Sequence, residues 1–314
     1  MPEYLGIDSS NYTSSAALCR DKEVIANEKQ LLPVEDGALG LRQSDAVFHH
    51  VKNLPVVLER ALADAVGLSA VGVSSAPREE IGSYMPCFLA GQAMARSVAA
   101  ALRIPVYTFS HQAGHIMAAL YSAGAQEMMS GPFIAFHVSG GTTEALLVSP
   151  DAERILTCRK IAGSLDLKAG QAVDRVGRLL GLPFPAGPAL DRLAANGRSP
   201  ERPRPTMKGA DCCLSGIENQ CAAFLAAGRA PEEVARYCID AILAALDATC
   251  RILLAEHGPL PLLFAGGVMS NSTIRAALQE TYGGRFAEPA FSSDNAAGVA
   301  LLAEALHTGR GASG

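Results

Sequence analysis

Two histidines, His111 and His115, stand four residues apart where an extended apolar run feeds directly into a helix-forming stretch, VYTFSHQAGHIMAAL. Four residues make about one helical turn, so both imidazoles lie on one face and can share a metal ion. A third ligand has to come from elsewhere in the chain, and the candidate is Asp294 in FSSDNAAG. A zinc-protease helix reads H-E-x-x-H, with the Glu as general base. Here the second position is Gln112, which cannot take a proton from water. The competing reading makes both histidines ordinary helix residues, and spacing alone leaves the two readings open.

The elements around this pair alternate. Residues 4–8 and 15–19 read as a hairpin joined by a polar turn, SSNYTS, with a third strand at 23–29. Residues 133–138 and 144–148 repeat that plan around SGGTT, an internal duplication of architecture. Small polar turns of this type expose backbone N–H groups and hydroxyls that can cradle phosphate. Between the hairpins the pattern predicts a helix at 44–65, a strand at 70–74, a small-residue helix at 86–102 and a strand at 104–108. Such alternation implies a parallel or mixed sheet covered on both faces. His49 and His50 on the first helix read as structural or solvent-facing.

Later, helices at 171–180 and from 189 flank a Pro/Gly bend, LPFPAGP. That bend brings Asp174, Gly187 and Asp191 within reach of one another if the helices fold back. Carboxylates there can hold ribose hydroxyls and a glycine admits a flat base; helix capping is the competing role. The stretch 197–209 is Pro-rich and basic, with Arg198, Arg202, Arg204 and Lys208, and reads as a loop. Helices at 216–226 and 231–257, a buried strand at 261–265 and a helix opened by GGVMSN near Ser270 follow. Asn271 is a candidate nucleotide contact, because ligands sit at the carboxyl ends of strands. The final helix is expected at 295–306, where Asp294 is equally a good cap.

Composition narrows the class. In 314 residues, 49% are hydrophobic and 5% aromatic with no Trp, as in an Ala/Leu/Gly-rich α/β enzyme. No apolar run approaches the roughly 18 residues of a membrane span, and MPEYLGID does not read as a secretory leader. Eight irregularly spaced cysteines without C-x-x-C read as reduced cytoplasmic thiols. The net charge of −5 argues against a stand-alone nucleic-acid binder.

The series GIDSS, H-x-x-x-H after a strand, VSGGTTEAL, DRVGRLLGLPFPAGPALD, FAGGVMSN and SSDNAAG resembles the bacterial TsaD family, from Leu5 to Ala303. The resemblance implies an α/β chain of the actin-like ATPase (ASKHA) fold: two duplicated subdomains of mixed sheets flanked by helices, with a nucleotide cleft between them. The expected division is 1–110 and 111–314, the helix after 293 packing back on the first subdomain. The implied reaction is metal-dependent acyl transfer of a threonylcarbamoyl group from threonylcarbamoyl-adenylate to N6 of the adenosine beside the tRNA anticodon. By position, His111, His115 and Asp294 match the ligands of one iron or zinc ion. His137, Val138, Ser139, Gly140 and Gly141 match the substrate loop, and Asp174, Gly187, Asp191 and Asn271 the residues that hold the adenylate. Implied partners are tRNA, reached through TsaB-like and TsaE-like subunits, and a second copy in a dimer; no membrane is involved and the location is cytoplasmic.

Two departures stand out. The family reads G-I-E-T-S-C-D-E-T and S-G-G-H-T, whereas this chain has Tyr12 and Thr13 in place of the acidic pair and Thr142 in place of the His. Loss of groups acting as base or orienting the acceptor costs on the order of 10²–10⁴-fold in rate. A divergent paralogue transferring a carbamoyl or acyl group to another acceptor is therefore the alternative. A third reading, a non-catalytic nucleotide-binding partner, has no use for the metal trio. An endopeptidase reading would need a base that Gln112 does not supply.

Overall fold

The computed structural model describes residues 1–10, 12–33, 41–291 and 296–311. In chain order the elements are β1 (Glu3–Ser10), β2 (Thr13–Arg20), β3 (Glu23–Leu31), α1 (Gln43–Ala61), β4 (Leu68–Ala76), α2 (Phe88–Leu102), β5 (Val106–Ser110) and α3 (His111–Ser122). Then come β6 (Phe133–Val138), β7 (Thr143–Asp151), β8 (Ile155–Gly163), α4 (Ala169–Leu179), α5 (Gly187–Ala194), β9 (Thr206–Lys208), β10 (Asp211–Cys213), α6 (Gly216–Ala226) and α7 (Pro231–His257). The chain closes with β11 (Leu262–Ala265), α8 (Ser272–Tyr282), β12 (Arg285–Phe286) and α9 (Ala297–Gly311).

The duplication is visible in strand order. One sheet runs β3-β2-β1-β4-β5 and the other β12-β11-β6-β7-β8. In each, a hairpin supplies an antiparallel pair, β1–β2 or β6–β7, and β4–β5 or β11–β12 add in parallel. Two compact units result: residues 1–129, 149–158 and 290–314 in unit 1, and 130–148 and 159–289 in unit 2. The helix α3, which the sequence assigns to the second subdomain, packs on α9 within unit 1.

In unit 1, β1 is buried along its whole length. Alternation along the strand sends Ile7 and Ser9 to one face and Gly6 and Asp8 to the other. The first face carries α1 and α2, where the Ser9 hydroxyl donates to the Cys87 carbonyl and accepts from the Gly91 amide. The second lies under α9, and a Cβ on Gly6 would overlap the carbonyl oxygen of Ala296. Likewise a Cβ on Gly298 would overlap the carbonyl oxygen of Gly114, so α9 touches α3 backbone to backbone. His50 is fully buried on α1, its Nδ1 2.8 Å from the Ser14 hydroxyl; burial holds it below the usual imidazole range.

In unit 2, β6 and β11 pack under α4, α7 and α8 around a core that includes Phe136, Phe264, Ile242 and Leu246. Several elements depart from expectation. Ser10 pairs with Thr13, so most of the expected SSNYTS turn is strand. β8 is an additional strand, and β9 lies inside the stretch expected as loop, pairing with β10 just beyond it. GGVMSN forms a short 3-10 turn at Gly267–Ser270 before α8 begins. Among the described residues, no helix is long and apolar enough to cross a membrane.

Candidate functional site

The histidine pair is built by capping. Ser110 ends β5 in extended conformation and its hydroxyl accepts from the Ala113 amide at 3.1 Å, which starts α3 at His111. One turn later His115 returns to the same face, and the two Nε2 atoms lie 2.9 Å apart. His111 Nδ1 faces outward from the pair and meets Asp8 Oδ2 at 2.7 Å. Asp8 is buried at the carboxyl end of β1, and its other oxygen has no partner among the described residues. Asp8 was not singled out from sequence; the available signal was an acid closing an otherwise apolar central strand.

Facing imidazole nitrogens at this separation suit a shared cation. Paired imidazoles with a carboxylate behind one of them are also the donor set of a borderline divalent metal. Among the described residues, no third His, Cys, Asp or Glu joins the pair. Asp294, the expected third ligand, lies outside the described residues. The described chain resumes at Ala296, whose carbonyl oxygen lies against Gly6, two residues before Asp8.

The other predicted residues belong to unit 2. His137 and Val138 end β6, with Val138 buried, and Ser139–Thr142 form the loop to β7. The Ser139 amide donates to the Thr142 carbonyl at 2.7 Å, and its hydroxyl accepts from the amides of Gly141 and Thr142 at 3.3 and 3.1 Å. Gly140 and Gly141 are exposed. The start of α4 lies on this loop: the Gly170 amide donates to the Ser139 carbonyl at 3.1 Å, and a Cβ on Gly170 would come within 2.6 Å of Gly140 N. The first amides of α4 are thus spent on the loop and on β7, Gly170 on the Ser139 carbonyl and Ala169 on the Thr143 hydroxyl, which leaves the exposed Gly140–Gly141 tip as the face open to an anion.

Farther along, Asp174 Oδ1 accepts from the Ala186 amide at 2.9 Å, which ties α4 to the residue before Gly187. A recess of about 270 Å³ lies there, lined by Asp174, Arg178, Phe184 and Ala186 among others. A side chain on Gly187 would meet nothing within 4 Å, so a planar group has room. Asp191, one turn along α5, accepts from Asn271 Nδ2 at 2.9 Å and from Ser272 Oγ at 3.0 Å, while Asn271 Oδ1 caps α8 at the Ile274 amide. Thus the structure brings Asp191 and Asn271 together and adds Ser272. A larger recess of about 560 Å³, between the 199–203 segment, α7 and α8, is lined by Arg202 of the basic stretch but by none of the residues expected to hold metal or adenylate.

The segment leading into α4 is anchored by Asp166. Burial raises its pKa, but the Ser215 hydroxyl and the amides of Leu214, Leu167 and Ser215 outweigh that and hold it at about 2, against an ordinary 3.8. A carboxyl lowered on folding adds stability above its unfolded value and loses it as pH falls through the folded one. The stability gap between wild type and Asp166→Asn, measured by urea unfolding, is expected to be full above about pH 5 and to close as pH falls toward about 2.

The comparisons with known proteins bear on the fold and the family. Component A of the (R)-2-hydroxyglutaryl-CoA dehydratase of Acidaminococcus fermentans superposes with a TM-score of 0.53 at 16% identity, covering 99% of this chain and 100% of that one. Full-length HypF, solved in a phosphate- and nucleotide-bound form, gives 0.58 at 13% identity, with all of this chain matching 56% of HypF. The ROK hexokinase of Thermus thermophilus gives 0.50 at 16%, over 98% of this chain and 99% of that one. These likenesses establish the actin-like ATPase fold. The model of one family, described as tRNA N6-adenosine threonylcarbamoyltransferase, matches residues 23–301, and on that extent the chain belongs to the TsaD family.

Proposed function

We propose that this chain transfers a threonylcarbamoyl group from threonylcarbamoyl-adenylate to N6 of the adenosine next to the tRNA anticodon, in a metal-dependent reaction. The observation that carries the reading is the convergence of His111 and His115 at 2.9 Å in a chain of this family. In this reading His111, His115 and Asp294 hold one divalent ion, iron or zinc. The ion supplies Lewis acidity toward the carbamoyl carbonyl.

The protein's own groups do the rest. The Gly140 amide, on the exposed tip of the 139–142 loop, receives the adenylate phosphate and stabilises the charge that grows on it as AMP leaves. Asp191 and Asn271 hold the ribose, and the open face of Gly187 admits the adenine. The N6 amine of the acceptor adenosine attacks the carbamoyl carbon, the C–O bond to phosphate breaks with AMP leaving as the anion, the amine proton passes to water, and TsaB-like and TsaE-like partners present the tRNA.

Replacement of the family's acidic pair and His favours a second reading, transfer to another acceptor. Tyr12 is 39% exposed and Thr13 is buried in β2, so neither supplies a carboxylate at the hairpin. The test is to deplete a host's own threonylcarbamoyltransferase, express this chain with its organism's partners, and quantify N6-threonylcarbamoyladenosine in digested tRNA by mass spectrometry. Recovery that vanishes with His111→Ala is expected. No recovery from soluble, metal-loaded protein overturns the tRNA reaction in favour of another acceptor.

A further inference from the structure

We infer that Asp8 is the positioning residue of the histidine pair. Its buried carboxylate takes the Nδ1 proton of His111 and so keeps the Nε2 lone pair of that ring turned toward His115. The inference rests on the metal reading above for its purpose, though not for its geometry.

A neutral imidazole carries one proton, and whichever nitrogen holds it cannot bind a metal. Asp8 Oδ2, 2.7 Å from His111 Nδ1, can only accept, so it assigns the proton to Nδ1 and leaves Nε2 bare. That bare nitrogen is the one 2.9 Å from His115 Nε2. The ring is therefore held from two independent elements. α3 fixes its Cα, while β1, the central strand of its sheet, fixes its far nitrogen.

The state of Asp8 itself points to a ligand beyond the imidazole. Its side chain is 1% exposed, no Lys or Arg pairs with it among the described residues, and Oδ1 is buried without a partner. A buried carboxylate so poorly compensated is costly unless positive charge is supplied nearby. A cation on the opposite nitrogen of His111 supplies it through the ring. The same carboxylate therefore orients the ligand and raises its basicity, the recurrent second partner of metal-bound histidines.

Two measurements decide the matter. In metal-free wild type labelled with ¹⁵N-histidine, long-range ¹H–¹⁵N correlation at a pH where the ring is neutral should show His111 protonated at Nδ1. Protonation at Nε2 would overturn the inference, and this readout needs no variant to fold. In Asp8→Asn, of nearly identical shape, the amide can donate as well as accept, so the Nε2–H form should appear. Zn(II) affinity, read by competition with a chromophoric chelator, should then fall about 10–100-fold. Wild-type affinity in a folded Asp8→Asn protein overturns the inference. A wild type that shows the Nδ1–H ring yet binds neither Zn(II) nor Co(II) supports the orienting role of Asp8 and overturns the metal reading instead.

Discussion

Replacing His115 by Ala is expected to empty the protein of metal and to cut formation of N6-threonylcarbamoyladenosine by at least about 10²–10³-fold, with little change in thermal stability. Lewis-acid stabilisation contributes several kcal/mol to a transition state, and each 1.36 kcal/mol is a factor of about ten. Ala is the best helix former, so α3 tolerates the change. His111→Ala should lose the same activity and some stability besides. It strands the Asp8 carboxylate, whose only hydrogen bond among the described residues is to His111, at a cost of about 1–3 kcal/mol. Metal content by elemental analysis, tRNA nucleoside quantification and melting of the two variants test this contrast. A His115→Ala protein that modifies tRNA at the wild-type rate would remove the metal from the mechanism.

Gly298→Ala should destabilise the protein by about 3 kcal/mol, a fall in melting temperature of roughly 6–12 °C for a unit of this size. The added methyl would overlap the carbonyl oxygen of Gly114, which precedes His115, and would approach Ala118 N at 2.7 Å. Both obstacles are backbone, so neither can rotate away; α9 and α3 must separate. Metal affinity should fall with stability, because the helix that carries both histidines is displaced. Gly309→Ala, on the same helix, is the control. A Cβ there meets nothing within 4 Å, and Gly to Ala in an exposed helix stabilises by about 1 kcal/mol or less. Equal melting temperatures for the two variants would show that the α3–α9 contact is not tight.

Local signals carried much of this architecture. The i,i+4 histidines, the bounds of α6 and α7 and the hairpin at β6–β7 are read from neighbouring residues, because periodicity and turn chemistry act within a turn or two. Asp191 was singled out from the Pro/Gly bend and Asn271 from the strand-to-helix glycine turn, and the two meet in the structure. β8 and the β9–β10 pair escaped, since Arg159 and Lys160 break the apolar pattern of the first and a Pro-rich flank hides the second.

What the sequence by itself determined was therefore which residues can do chemistry and which short elements carry them. Only the tertiary structure decided the common strand order of the two sheets, the seating of α9 on α3, and the meeting of Asp8 with His111 across 103 positions of chain. The physical reason is range. A cap or a helical face is set by residues within four positions, whereas strand pairing and the partner of a buried carboxylate depend on which distant surfaces exclude water together.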